Sequence, residues 1–115
     1  MRMLLSLVLL GVMATHNLLY GESHEPVVIK PFDLSYEDFE QYPSVIETIL
    51  NTGGDVLVMF VIDEHGLVVD PEIINSFDIF IDEVVIDKVK QIKFKPAVQN
   101  GRPIKVKYSL PILFK

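Results

Sequence analysis

The chain has 115 residues, a formal charge of −6, seven Phe, four Tyr and no cysteine, and half of its residues are hydrophobic. That length holds one core and leaves no room for a second domain, and so apolar a composition excludes a disordered chain. The lack of thiols excludes disulfides, thiolate metal sites, a cysteine nucleophile and a lipid-attachment cysteine.

The charge is unevenly placed. All sixteen acids lie between Glu22 and Asp87, and eight of the ten Lys and Arg residues lie from Lys88 onward. The last quarter is a basic strip on an acidic chain, which argues against a nucleic-acid-binding domain.

Residues 1–21 begin with Arg2, run apolar from Met3 to Ala14, and turn polar at Thr15, His16 and Asn17. This is the layout of a secretory signal peptide. The apolar run of about twelve residues falls short of the roughly 20 that a membrane-spanning helix needs, so export is expected. An uncleaved anchor from Met3 to Tyr20, facing the periplasm, is the alternative. Contact with a membrane is expected only in that case.

Residues 22–40 carry Pro26 and Pro31 and read as an extended lead-in to a domain at 41–115. Pro43 suits the first turn of a helix, with Val45, Ile46, Ile49 and Leu50 recurring on one face until Gly53-Gly54 stops it. Val56 to Ile62 is unbroken apolar sequence, too short and too β-branched for a helix, and reads as a strand buried on both faces or nearly so. The polar run Asp63-Glu64-His65-Gly66 makes a hairpin connection to a second strand from Leu67 to Asn75, in which Pro71 marks a bulge or an edge.

Asp82 is expected to cap a second helix whose inner face carries Val85, Val89 and Ile92, with lysines toward its end. Asn100-Gly101 then makes a turn. From Ile104 to Phe114 the pattern has a period of two: Ile104, Val106, Tyr108, Leu110, Ile112 and Phe114 on one face, Lys105, Lys107, Ser109, Pro111 and Leu113 on the other. This predicts a strand with a largely basic, exposed outer face and an open edge at Pro111. The expected fold is α+β, a three-stranded antiparallel sheet packed with two helices in the order helix-strand-strand-helix-strand.

No catalytic constellation accompanies these elements. His65 lies in a turn whose Asp and Gly content explains itself, and His16 and His24 lie outside the domain. The acid pairs Glu37-Asp38 and Asp82-Glu83 are neighbours in sequence that would not share a helix face. No metal-ligand spacing, phosphate-binding loop or Ser-His-Asp order is present, so no enzyme, metal or cofactor is expected.

From Gln41 to Phe114 the chain resembles the C-terminal domain of the TonB energy-transducer family. The residues that carry the resemblance are Gln41-Tyr42-Pro43, Gly54-Asp55-Val56, the hairpin Asp63 to Gly66, Ser76 with Asp82, Phe94-Lys95-Pro96-Ala97 and Asn100-Gly101-Arg102-Pro103. Each is weak alone, and together they are specific in order and spacing.

The resemblance implies a periplasmic module that binds an extended segment of an outer-membrane receptor, adding it as a strand in energy-dependent transport. Gln41, Tyr42 and Pro43 are one implied contact, and the last strand, with Lys105, Lys107 and Ser109, is the docking edge. Those lysines equally suit an edge guarded against aggregation. The rival expectation is a structural or assembly subunit of an envelope complex that uses the open edge for self-association, as a homodimer, or for a fixed partner.

Overall fold

The computed structural model describes residues 4–5, 8–9 and 22–114. The leader read at 1–21 lies, apart from two short strands, outside the described residues. Those are β1 (Leu4–Leu5) and β2 (Val8–Leu9), followed by β3 (Val27–Lys30), a 3-10 turn (Tyr36–Phe39), α1 (Pro43–Thr52), β4 (Gly54–Ile62) and β5 (Val68–Asn75). Then come α2 (Ile79–Val89), β6 (Lys93–Lys95), β7 (Ala97–Gln99), β8 (Arg102–Ile104) and β9 (Val106–Phe114).

The three long strands make the antiparallel sheet the sequence predicts. β4 is central, with β9 on one side and β5 on the other. The β4–β9 register is unbroken from Gly54↔Phe114 to Ile62↔Val106. Two features of these strands hold that register. Val56, Val58, Phe60 and Ile62 on β4, and Val106, Tyr108, Leu110, Ile112 and Phe114 on β9, all face one buried layer. A slip of one strand by one residue would turn its whole apolar set away from that layer.

β4 is not buried on both faces. Its burial alternates, because α1 and α2 cover one side only and leave Leu57, Met59 and Val61 half-buried on the other. Along β5 the register shifts twice opposite β4, and Pro71 lies within the second shift, between Glu72 and Val69, on the strand that forms the sheet's other edge. Asp70 there takes a positive φ of 50°.

α1 begins with Pro43 at its first turn, where a missing N–H costs nothing, and ends at Gly53 with φ 67°. Val45 and Ile49 are buried, whereas Leu50, expected on the same face, is 66% exposed. The cap of α2 differs from expectation. Asp78, not Asp82, is the N-cap, and its carboxylate accepts the Phe80 N–H at 2.9 Å. Asp82 falls one turn inside, where a buried Oδ1 has no hydrogen-bond partner. Ile81, Val85, Val89 and Ile92 form the inner face.

After α2 the chain makes strands that the sequence reading passed over. β6 pairs with β3, and β7 and β8 form a hairpin around Asn100 (φ 54°) and Gly101 (φ 79°). The strand expected from Ile104 to Phe114 is therefore divided between two strands, with Lys105 between them.

The lead-in is extended over β3, but it is also packed. His24 and Val98 exchange backbone hydrogen bonds of 2.8 and 2.9 Å. Leu34 and Phe39 are buried in the common core, so residues before Gln41 supply part of what the sheet and helices close around.

Candidate protein-binding site

The resemblance points to two places, the stretch before α1 and the last strand. The fold sets each of them at a different boundary of the sheet and helices.

Tyr42 occupies the N-cap position of α1 and its ring stacks on Phe80, with centroids 5.2 Å apart and planes at 23°. Phe80 sits in the first turn of α2, so one aromatic pair joins the starts of the two helices. Such a pair contributes about 0.5–1.5 kcal/mol beyond its buried area. Gln41 and Pro43, on either side, are exposed. Sequence reasoning missed Phe80, and its neighbour Ile79, because with Asp82 as the expected cap both fell before the helix. Their exposures, 50% and 76%, separate them from that core.

Beside Tyr42 lies an acidic cleft of about 270 Å³, lined among others by Glu37, Glu40, Gln41, Glu83 and Asp87. Asp38, on the same wall, accepts the Ser35 N–H at 2.8 Å and pairs with Lys88 at 3.0 Å. Burial alone would raise the carboxyl's pKa. The Ser35 N–H and the Lys88 ammonium together outweigh it and hold the group below its ordinary value.

β9 presents the second place. Lys105 and Lys107 are exposed, as expected for an outer face. Ser109 is not, being only 7% exposed. β9 has β4 on one edge, and on the other it pairs antiparallel with β1 and β2, in the registers Leu4↔Leu113, Leu5↔Ile112, Val8↔Ser109 and Leu9↔Tyr108. The outer edge of the last strand thus takes an added strand. Gln41–Pro43 is therefore not joined to Lys105, Lys107 and Ser109 in one pocket. The two stretches lie apart, at the start of α1 and along the sheet edge.

The hairpin at His65 is a turn in structure as in sequence. Asp63 accepts the His65 and Leu67 N–H groups, both at 2.9 Å. The Leu67 N–H, more than His65, holds the Asp63 carboxyl below its ordinary value. Tyr108, stacked on Phe60 at 5.4 Å, has its phenol pKa raised, first by burial and then by Glu25. Among the described residues no group of three or more His, Cys, Asp or Glu is arranged to hold a metal ion, and no helix is long and apolar enough to cross a membrane.

A three-stranded antiparallel sheet packed with two helices, a half-buried aromatic at the start of α1 and a last strand that also pairs with β1 and β2 define a small α+β domain. The family described as the Gram-negative bacterial TonB protein C-terminal domain matches residues 41–115, and the chain belongs to that family. No curated protein matches the chain.

Proposed function

We propose that this chain is a periplasmic protein-binding module of the TonB type, which captures an extended segment of an outer-membrane receptor by adding it to the edge of β9 in energy-dependent transport. The observation that carries the reading is the position of β9 at the side of the sheet, already paired along its outer edge with extended residues of the same chain. Strand addition draws its affinity from backbone hydrogen bonds, and the side chains at alternate positions select the partner. Lys105 and Lys107 flank the edge where the segment enters, and Gln41-Tyr42-Pro43 is the second contact.

In this reading residues 1–21 direct export and are removed, and their removal frees the edge for the receptor. The test is an NMR titration of the protein recovered from its native envelope with peptides from the periplasm-facing ends of outer-membrane receptors. Shifts confined to Val106–Phe114 and Gln41–Pro43 are expected. Shifts scattered over the molecule, or none, would sink the reading.

A further inference from the structure

The two contacts lie at separate boundaries, and the surface between them is apolar where a small domain's surface is ordinarily polar. Tyr42, Ile46 and Leu50 stand four residues apart, so they follow one another along the same side of α1. At the far end, Leu50 and Leu113 line one open cleft of about 470 Å³ with Asn51, Thr52 and Asp55. Leu113 is the last outward-facing residue of β9 and is 38% exposed. At the near end, Tyr42 carries the Phe80 ring, the adjacent Ile79 is exposed, and the acidic cleft follows. An apolar path therefore leads from the end of the sheet edge to an aromatic pair and ends in a zone of negative charge. Contiguous exposed apolar surface with a polar rim marks a contact site, and aromatic side chains are its usual anchors.

We infer that the partner's segment does not end with the strand added to β9: it continues past Leu113, crosses Leu50 and Ile46, and seats an apolar side chain on the Tyr42–Phe80 pair, with a basic residue next to it facing Glu37, Glu40, Glu83 and Asp87. This rests on the strand-addition reading and deepens it, because it makes the two contacts one continuous track and names the partner's chemistry. The distance sets the spacing. Eight helical residues from Tyr42 to Leu50 span about 12 Å, which an extended chain covers in about four residues. The partner should carry one apolar residue just beyond its strand, a second about four residues further out, and a Lys or Arg beside that one. Charge complementarity favours this occupant over an acidic segment, which would meet like charge at the cleft.

The test uses an alternating Thr-Val octapeptide as a strand-adding core. Two longer peptides carry the same core with Lys-Phe-Gly-Ser-Gly-Leu-Gly before it, for an antiparallel strand, or the reversed order Gly-Leu-Gly-Ser-Gly-Phe-Lys after it, for a parallel one. Binding to the protein recovered from its native envelope, the form in which residues 1–21 no longer cover β9 in this reading, is measured for all three, and again with Leu50→Ser and with Phe80→Ser. One extended peptide is expected to bind at least about tenfold more tightly than the core, with each substitution removing most of that gain and leaving core binding unchanged. Amide protection along β4 confirms that the variants are folded. If the core binds and neither extension improves it, or if the gain survives both substitutions, the track is wrong while strand addition stands. If no peptide binds, strand addition fails and the track falls with it. Replacing the terminal Lys by Glu should abolish part of the gain at low salt, and an equal or tighter complex would overturn the charge assignment.

Discussion

Phe39 and Phe114 meet with ring centroids 6.1 Å apart and planes tilted by 58°. One belongs to the turn that ends the lead-in and the other closes the last strand, so the lead-in and the end of the last strand are packed against each other. Both rings are fully buried or nearly so. Phe77 meets the same Phe114 ring edge-on at 5.4 Å, which makes Phe114 the point where lead-in, sheet and the approach to α2 converge.

Phe39→Ala should therefore cost about 3–5 kcal/mol, as for a large aromatic removed from a core, even though Phe39 lies before the family-matched residues 41–115. A chain starting at Gln41 loses Leu34 as well and should be weaker still. Urea denaturation followed by circular dichroism measures both, and a loss below about 1 kcal/mol would mean that the lead-in is only laid on the surface.

Gly66 has φ 81°, and a Cβ added there would run into the Phe94 carbonyl oxygen. The approach is close because the Gly66 carbonyl accepts the Phe94 N–H at 2.9 Å, tying the β4–β5 hairpin to β6. Gly66→Ala combines left-handed strain with that clash and should destabilise the fold by more than about 1 kcal/mol. A neutral result in thermal denaturation would show that the hairpin and β6 separate easily.

Asp38 gives a pH dependence of known sign. Its folded pKa lies below the ordinary value of 3.8, so its contribution to stability is present above that value. It is lost as pH falls from there through the lower folded value. Lys88→Met should flatten this part of the acid limb, by no more than about 1 kcal/mol because both side chains are partly exposed. Asp63, held low chiefly by the Leu67 N–H, titrates in the same direction and is unaffected by that substitution. The difference between the two acid curves, measured from about pH 5 downward, therefore isolates the Asp38–Lys88 pair. Coincident curves would mean that the pair contributes nothing.

Removing residues 1–21 should change β9 more than β4, since β1 and β2 pair with β9 alone. In the shortened chain, amides of Val106–Phe114 that face the outer edge should exchange faster with solvent, and an added extended peptide should protect them again. Unchanged exchange along β9 would show that the N-terminal residues do not cover the edge. N-terminal sequencing of the protein from its native envelope is expected to find a start near residues 15–22, and an intact Met1 would favour the anchored alternative.

Much of this arrangement was legible in the sequence where a pattern repeats. The period of two from Val106 to Phe114 survives in the structure because a single layer of helices buries one face of the sheet, and Pro43 starts α1 for the local reason that proline lacks an N–H. The α2 cap was misplaced because Asp78 and Asp82 are equally good capping residues in isolation. Only the position at which Ile81 meets the core decides which one begins the helix. Ser109 alternates with the basic residues yet is buried, since alternation fixes which face a residue points to and not what lies over that face.

The sequence by itself determined the elements with strong local periodicity, their α+β class, the family, and the absence of any recognisable catalytic spacing. The tertiary structure alone decided that the lead-in belongs to the core, that β6, β7 and β8 are strands, that Tyr42 stacks on Phe80, and that Gln41–Pro43 and the edge of β9 lie apart. These are pairings between residues far apart in the chain. Short-range propensity and hydrophobic period carry no information about such pairings, because they depend on which surfaces meet when the sheet and helices close.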